Sequence, residues 1–298
     1  MNSLYRQRDV NIYKTWGLFI VFILVVIGIG FVFAQAFQSS IILYVAVGFS
    51  IIMNILGYWY SDKIVLSMAH AKEVSASQAP ELYRIVENLA ITAGLPTPKV
   101  YIINESQPNA FATGRNPKHA VVAVTTGLLD KLDRSELEGV IAHELAHIGN
   151  RDMLLSTAVV VLVGFLSILA DMFMHSMWFG SFRDNDDNKA GVIFMVLAIV
   201  FSIIAPIVAM ILQLAISRKR EFLADATGAL LTRYPEGLAG ALEKISANSS
   251  PMRVVQNSTA HLWVADPFRG KKTPWFHKLF MTHPPVEERL KALRGMSI

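Results

Sequence analysis

The amino-acid sequence predicts a mostly α-helical integral membrane protein that carries a globular α+β domain. Hydrophobic residues make up 53% of the chain and charged residues only 17%. No Asp, Glu, Lys or Arg occurs between Thr15 and Tyr60, and further apolar runs follow Asp152. Polar segments between these runs show helical and strand periodicity. This combination indicates several membrane spans joined to a soluble domain, because long charge-free stretches are typical of transmembrane helices.

Four apolar runs are long enough to cross a hydrocarbon core of ~30 Å as helices. The predicted transmembrane helices cover residues 16–34, 41–60, 153–173 and 191–217. They form one hairpin in residues 1–62 and a second hairpin in residues 153–217. A signal peptide is disfavoured for the first run, because no convincing small-residue cleavage site separates it from the second. Buried core helices of a soluble domain remain the alternative for the second hairpin.

The distribution of Lys and Arg predicts the topology, because these residues are enriched in cytoplasmic loops. Basic residues precede the first span, none lies in the turn after it, and Arg218-Lys219-Arg220 follow the fourth span. The consistent solution places both termini, residues 63–152 and residues 218–298 in the cytoplasm. We therefore predict a multi-pass protein of the plasma membrane with a cytoplasmic domain in two parts.

The cytoplasmic domain is predicted to combine helices with a small β-sheet. Runs rich in β-branched and apolar residues predict strands over residues 99–103, 110–113 and 120–125. Helical periodicity and capping residues predict helices over residues 79–94, 135–150, 221–231, 237–247 and 286–293. The sheet thus belongs to the first part of the domain and leads into the helix over residues 135–150.

This helix carries the sequence His143-Glu144-Leu145-Ala146-His147. Residues i and i+4 share a helix face, so His143 and His147 can present two imidazole nitrogens to one metal ion, and imidazole suits Zn²⁺. Glu144 can take a proton from a metal-bound water and pass it to a leaving amine. A chance match on a surface helix is the alternative, and a third ligand is needed to exclude it.

Both ends of this helix are indicated by the sequence. A capping box starts it, formed either by Ser135 with Glu138 or by Asp133 with Glu136. Gly149 and Asn150 are stop residues, and the segment Asn150-Arg151-Asp152 is interpreted as a structural break before the third span.

The chain has no cysteine, so the remaining metal ligand must be His, Asp or Glu. Glu221 follows the fourth span on a predicted helix, and Asp225 lies one turn further on the same face. Spans three and four return the chain to the same side of the membrane, which brings this segment near the two histidines. Glu221 is therefore predicted to complete a His₂Glu site, and Asp225 to accept the other ring N–H of a ligand histidine. A juxtamembrane charge cluster is the alternative.

Together these motifs resemble those of the HtpX-type membrane zinc metalloproteases, which are gluzincins related to the CAAX prenyl proteases. The resemblance covers nearly the whole chain and rests on the segments His143–His147, Glu221–Asp225, Asn109–Ala112 and Thr282–Pro285. It implies a cytoplasmic α+β domain of zincin type, with one Zn²⁺ per subunit held by His143, His147 and Glu221. Glu144 would be the catalytic base of this site.

The resemblance also implies roles for residues whose own patterns say little. Asn109, Ala110, Phe111 and Ala112 would form an edge strand that pairs with the substrate backbone. Asp225 and Arg289 would support the metal site from outside, and His283, with Arg289 near it, would help to hold the substrate carbonyl or oxyanion. Without the resemblance, the strand could equally be internal, His283 would be a turn histidine and Arg289 a solvated helix charge.

The implied function is hydrolysis of peptide bonds in misfolded or damaged membrane proteins, within quality control and the stress response. The expected partners are unfolded or membrane-protein substrates, the lipid bilayer and other membrane quality-control proteases. No nucleic acid partner is expected, because the net charge of +4 is mild and membrane topology explains the excess of Lys and Arg better. The alternatives are a prenyl-peptide protease, a non-catalytic scaffold with a structural metal, and a transporter or channel. Glu144 argues against the scaffold, and the near absence of ionisable residues in the spans argues against the channel.

Residues 261–281 combine aromatic and basic side chains, among them Trp263, Trp275, Lys271 and Lys272. Such mixtures are enriched at membrane–water interfaces. The segment is predicted either to lie against the cytoplasmic leaflet or to form a lid where substrates leave the bilayer. An ordinary loop that packs its aromatic side chains into the domain is the alternative.

Overall fold

The computed structural model describes residues 4–36, 38–162, 164–165, 218–247, 252, 262–264 and 284–296. The described part of the chain is mostly helical and contains a four-stranded sheet. The predicted fourth span, much of the predicted third span and most of residues 261–281 lie outside the described residues, and so does His283.

The first two predicted spans form a pair of helices, α1 (Leu4–Ala36) and α2 (Ser40–Trp59). Among the described residues, the stretches Val10–Gln35 and Ser40–Trp59 are long and apolar enough to cross a membrane. α1 begins well before the predicted span, because the polar residues ahead of that span continue the helix without interruption. α2 leaves large apolar side chains such as Ile41 exposed, which is the pattern of a helix that faces lipid.

The sheet has the strand order β1-β2-β4-β3. Its strands are β1 (Lys72–Glu73), β2 (Lys99–Ile103), β3 (Ala110–Thr113) and β4 (Val121–Thr125). β2 and β4 are parallel, while β1 and β3 pair antiparallel at the two ends of the order. The three predicted strands are therefore present, and β3 has a partner strand on one side only within the described sheet.

Helices surround this sheet and supply most of the apolar core. They are α3 (Ser61–Met68), α4 (Pro80–Thr92), α5 (Thr126–Lys131), α6 (Arg134–Asn150), α7 (Met153–Leu162), α8 (Arg218–Thr232), α9 (Pro235–Ser246) and α10 (Val286–Arg294). The core joins apolar side chains of α4, β4, α6 and α9. α6 is buried along most of its length, so it forms the centre of the domain.

The ends of α6 are fixed by specific contacts. Asp133 and Glu136 form the capping box, which decides between the two arrangements that the sequence allowed. Arg151 ends the helix in the left-handed conformation, with φ of 56°. The side-chain amide of Asn11 in α1 donates a hydrogen bond of 3.2 Å to the carbonyl of Asn150. The N-terminal hairpin therefore contacts the C-terminal end of α6 directly.

Two glycines allow helices to approach α6 closely. A Cβ atom at Gly139 would lie 2.6 Å from the backbone nitrogen of Leu238 in α9. A Cβ atom at Gly228 in α8 would lie 2.9 Å from the backbone nitrogen of His143. Neither position has room for a side chain unless the partner helix moves, so both glycines are required by helix packing.

We predict that Gly139→Ala lowers the thermal unfolding midpoint of the detergent-solubilised protein. The added methyl group would push α9 away from α6, and such overpacking costs typically about 1–3 kcal/mol. Gly149→Ala in the same helix is the matched control, because its Cβ would meet only the Cδ1 atom of Leu95, at 3.9 Å. The control should keep or raise the midpoint, and equal losses in both variants would contradict the packing argument.

Candidate active site

His143 and His147 lie on successive turns of α6 with their Nε2 atoms 3.1 Å apart. Glu221, in the first turn of α8, places carboxylate oxygens 3.8 Å from Nε2 of His143 and 3.7 Å from Nε2 of His147. The three ligand atoms all lie within 4.8 Å of one another. The three predicted metal ligands therefore converge on one point, although Glu221 is distant from the two histidines in the sequence.

The spacing of these atoms fits a tetrahedral metal ion. Ligand atoms about 2.0–2.1 Å from such an ion would be about 3.3 Å apart. The two Nε2 atoms are 3.1 Å apart, and the carboxylate of Glu221 lies 3.8 Å from Nε2 of His143 through Oε2 and 3.7 Å from Nε2 of His147 through Oε1, all close to that value. Two imidazoles and a carboxylate also leave the fourth position of a tetrahedral ion for water, as in catalytic sites.

Each histidine has a carboxylate at its other ring nitrogen. The Nδ1 atom of His147 forms a hydrogen bond of 2.9 Å with the Oδ2 atom of Asp152. The Nδ1 atom of His143 lies 2.9 Å from the Oδ1 atom of Asp225, although the contact departs from ideal hydrogen-bond alignment. A carboxylate beside Nδ1 keeps the proton there and leaves the Nε2 lone pair free for a metal.

The electrostatic field of the pocket favours positive charge. Burial acts to lower the pKa of His147, but Asp152, Glu221 and Glu144 outweigh it and raise that pKa to about 10. Glu221 and Glu144, which contribute to this shift, line the cavity and would also attract a divalent cation beside Nε2. The cluster of acidic groups thus matches the charge of a metal as well as its geometry.

Asp225 and Arg289 form a buried ion pair behind His143. The guanidinium donates from Nη2 to Oδ1 at 2.7 Å and from Nε to Oδ2 at 2.8 Å. Burial acts to raise the pKa of Asp225, but the charges of Arg289 and His143 hold it at about 2. Arg289 is 1% exposed, so the solvated helix charge that sequence alone suggested is wrong. It contacts the metal site through Asp225.

Glu144 lines the same cavity as the three ligand residues. Its side chain is buried, and burial raises the pKa of its carboxyl group against the opposing influence of His143 and His147. The backbone N–H of Ala112 donates a hydrogen bond to this carboxyl group. Glu144 is therefore held between the metal position and strand β3.

The predicted edge strand contributes alternate backbone groups to the site. The carbonyl of Asn109 accepts a hydrogen bond from the N–H of Thr125 in β4, at 3.0 Å. Because backbone groups alternate in direction along a strand, Asn109 and Phe111 face β4, while Ala110 and Ala112 face away from it. Of the four residues predicted to bind substrate backbone, Ala110 and Ala112 thus carry the outward groups.

Residues Leu262–Val264 contact this outward side of β3. The N–H of Val264 donates a hydrogen bond of 3.0 Å to the carbonyl of Ala110, and Leu262 and Val264 line the cavity that contains the ligands. Trp263 is 1% exposed and packs edge-to-face on Phe111, with ring centroids 4.9 Å apart. Within residues 261–281, the structure describes only Leu262–Val264, and here Trp263 packs into the domain. This agrees with the alternative prediction of an ordinary loop for these three residues.

Comparison with known proteins identifies the family. A profile of peptidase family M48 matches residues 76–297. The chain is 46% identical over 302 residues to a protein named Protease HtpX homolog from Thermoanaerobacter pseudethanolicus, and the match covers 99% of both chains. It is also 46% identical over 292 residues to the Protease HtpX homolog of Pyrococcus furiosus, with 97% of each chain covered. The chain belongs to peptidase family M48.

The predicted resemblance to HtpX-type proteases is thereby confirmed. This protein, called the M48 chain below, is an HtpX-like membrane metalloprotease. A solved structure, that of S. mikatae Ste24p, matches with a TM-score of 0.50 at 18% identity. The match covers 96% of this chain and 64% of the Ste24p chain, so the M48 chain spans less than two thirds of the Ste24p length. This likeness concerns the fold alone.

Sequence analysis missed two features of the site. Asp152 was interpreted as part of a structural break, yet its carboxylate contacts His147. The sequence did indicate this contact, because the carboxylate of Asp152 follows the end of α6 closely and can reach back to its last turn. Val264 had no such indication, since an isolated apolar residue in an irregular segment shows no periodicity.

We predict that Arg289→Met lowers the free energy of unfolding by about 3–5 kcal/mol, because it leaves the carboxylate of Asp225 buried without its cation. Arg294→Met on the same helix is the matched control. Arg294 pairs with Glu236 and Glu243 at the surface, and its side chain is 44% exposed, so its loss should matter far less. Urea titration of the solubilised proteins measures both, and equal effects would contradict the importance of burial.

Proposed function

We propose that the M48 chain is a zinc endopeptidase of the plasma membrane that hydrolyses peptide bonds of misfolded or damaged membrane proteins at the cytoplasmic face. The observation that carries this proposal is the convergence of His143, His147 and Glu221 beside the buried carboxyl group of Glu144. A structural metal site has four protein ligands and needs no base. Three ligands with a base beside them are the arrangement of a hydrolase.

Zinc is the metal that this donor set favours. Two imidazoles with one carboxylate are the ligands of a known class of catalytic zinc sites, and hard cations such as Mg²⁺ and Ca²⁺ prefer oxygen ligands throughout. When bound, zinc would supply a water molecule of lowered pKa and would polarise the scissile carbonyl.

Glu144 performs the proton transfers in this proposal. Its carboxylate takes the proton of the attacking water and later gives it to the nitrogen of the leaving amine. The side chain of Glu144 is buried and lines the cavity of the three ligands, so both steps take place away from bulk water. The hydrogen bond from the N–H of Ala112 keeps the carboxyl group oriented.

Substrate backbone would add to the outward side of β3. Ala110 and Ala112 direct backbone groups there, so an extended peptide gains main-chain hydrogen bonds with little dependence on its sequence. A substrate that is unfolded locally offers such a segment, whereas a folded one does not. By the family resemblance, we propose that His283 donates to the oxyanion.

The position of the site supports substrates that come from the membrane. α7, which starts the predicted third span, begins three residues after α6 ends, and α1 contacts the end of α6 through Asn11. We therefore place the site next to the cytoplasmic surface of the bilayer, with the orientation given by the Lys and Arg distribution. Cooperation with other membrane proteases would follow from shared substrates. The likeness to Ste24p, being one of fold, does not extend the proposal to prenylated peptides.

We predict that the purified protein cleaves unfolded casein only with zinc bound, and that Glu144→Gln reduces the rate by roughly 10²–10⁴-fold. The substitution removes proton transfer while it preserves the size of the side chain. Glu138→Gln in the same helix is the matched control, because Glu138 pairs with Arg134 at the surface. The assay follows release of peptides by the full chain in detergent.

The zinc content of each protein completes this test. Glu144→Gln should bind zinc as the natural sequence does, since Glu144 is not among the three ligands. Cleavage by Glu144→Gln at the natural rate would reject Glu144 as the base. Zinc-independent cleavage by the natural sequence would reject the metalloprotease mechanism.

A further inference from the structure

The segment that follows α6 places a carboxylate beside one of the three ligand residues, His147. Arg151 adopts φ of 56°, and its N–H bonds to the carbonyl of Ile148 at 3.2 Å, which reverses the chain tightly. Asp152 comes next and points back toward α6, where its Oδ2 atom meets Nδ1 of His147 at 2.9 Å. Its side chain is only 4% exposed.

The same residue lies at the start of α7. The carbonyl of Asp152 accepts a hydrogen bond of 3.1 Å from the N–H of Ser156, in the first turn of that helix. The backbone of Asp152 thus joins the end of α6 to the beginning of α7. Its side chain contacts His147. The start of α7 therefore fixes the backbone that carries the carboxylate beside His147.

The surroundings of Asp152 differ from those of Asp225, the carboxylate behind His143. Asp225 shares its charge with Arg289 through two hydrogen bonds. Among the described residues, the second carboxylate oxygen of Asp152 has no hydrogen-bond partner, and Arg220 supplies only a nearby positive charge. The hydrogen bond to His147 is therefore the main directional contact of this carboxylate.

We propose that Asp152 is a positioning residue of the metal site, which holds His147 in the ring orientation and tautomer that direct Nε2 at the metal. The proposal rests on the proposed function for the presence of the metal. It assigns to Asp152 a chemical role in metal binding, in addition to its place in the turn between α6 and α7. Partners of this kind typically change metal affinity by 10–100-fold when they are removed.

The test compares zinc affinity in Asp152→Asn and Asp152→Ala with that of the natural full chain in detergent, by competition with a zinc-sensitive chelator. We expect the dissociation constant to rise by about 10–100-fold for Asp152→Ala. Asp152→Asn should show a smaller rise, since its amide oxygen can still accept the hydrogen bond without the negative charge. Asp130→Asn, an exposed carboxylate on α5, is the control and should leave the constant unchanged.

A second readout separates positioning from a merely structural role. The visible spectrum of the Co²⁺-loaded protein reports ligand geometry, and it should change in Asp152→Asn. The thermal unfolding midpoint of metal-free Asp152→Asn should equal that of metal-free Asp130→Asn. Unchanged zinc affinity and spectrum with a lowered midpoint would overturn the proposal and leave Asp152 as a turn residue. Failure of the natural sequence itself to bind zinc would instead reject the proposed function, and with it this inference.

Discussion

The contacts from His143 through Asp225 to Arg289 hold three separate segments of the chain together. The residues come from α6, α8 and α10, and their side chains are each 1% exposed. A buried carboxylate and guanidinium are stable in the interior only when they are paired and hydrogen-bonded, because their loss of hydration is otherwise too costly. The helix that carries Glu221 and the C-terminal helix must therefore assemble on α6 together, and the metal site is a product of that assembly.

The local parts of this arrangement could be predicted from the sequence. The spacing of His143 and His147, the acidic residue between them and the stop at Asn150 are all expressed within one helix. Burial of Arg289 could not be predicted, because an Arg on a short charged helix has the same pattern whether or not a carboxylate from another segment meets it. β1 has only two residues, too few for any alternation to be visible. Long-range partners leave no trace in periodicity.

Polar contacts, which periodicity also does not express, connect the apolar helices α1 and α7 to the domain that carries the metal site. Asn11 of α1 bonds to the last residue of α6, and Thr113 at the end of β3 lies 2.9 Å from Thr157 in α7, oxygen to oxygen. Asn11, Thr113 and Thr157 are buried, and a buried polar group without a hydrogen bond is costly. The pairs fix the register between the apolar helices and the domain, which hydrophobic contact alone would leave free to slide.

In the proposed binding mode, a substrate peptide would compete with Val264 for the carbonyl of Ala110. A peptide that adds to β3 can use the carbonyl of Ala110 only after the N–H of Val264 has left it. The tethered partner acts at a high effective concentration, whereas an external peptide must supply its own. The free energy needed to displace Val264 is the same for every peptide sequence. A peptide with low affinity for β3 would therefore fail to bind. Under the proposed function, long extended segments held at the membrane surface would displace Val264 most easily, because their local concentration is raised.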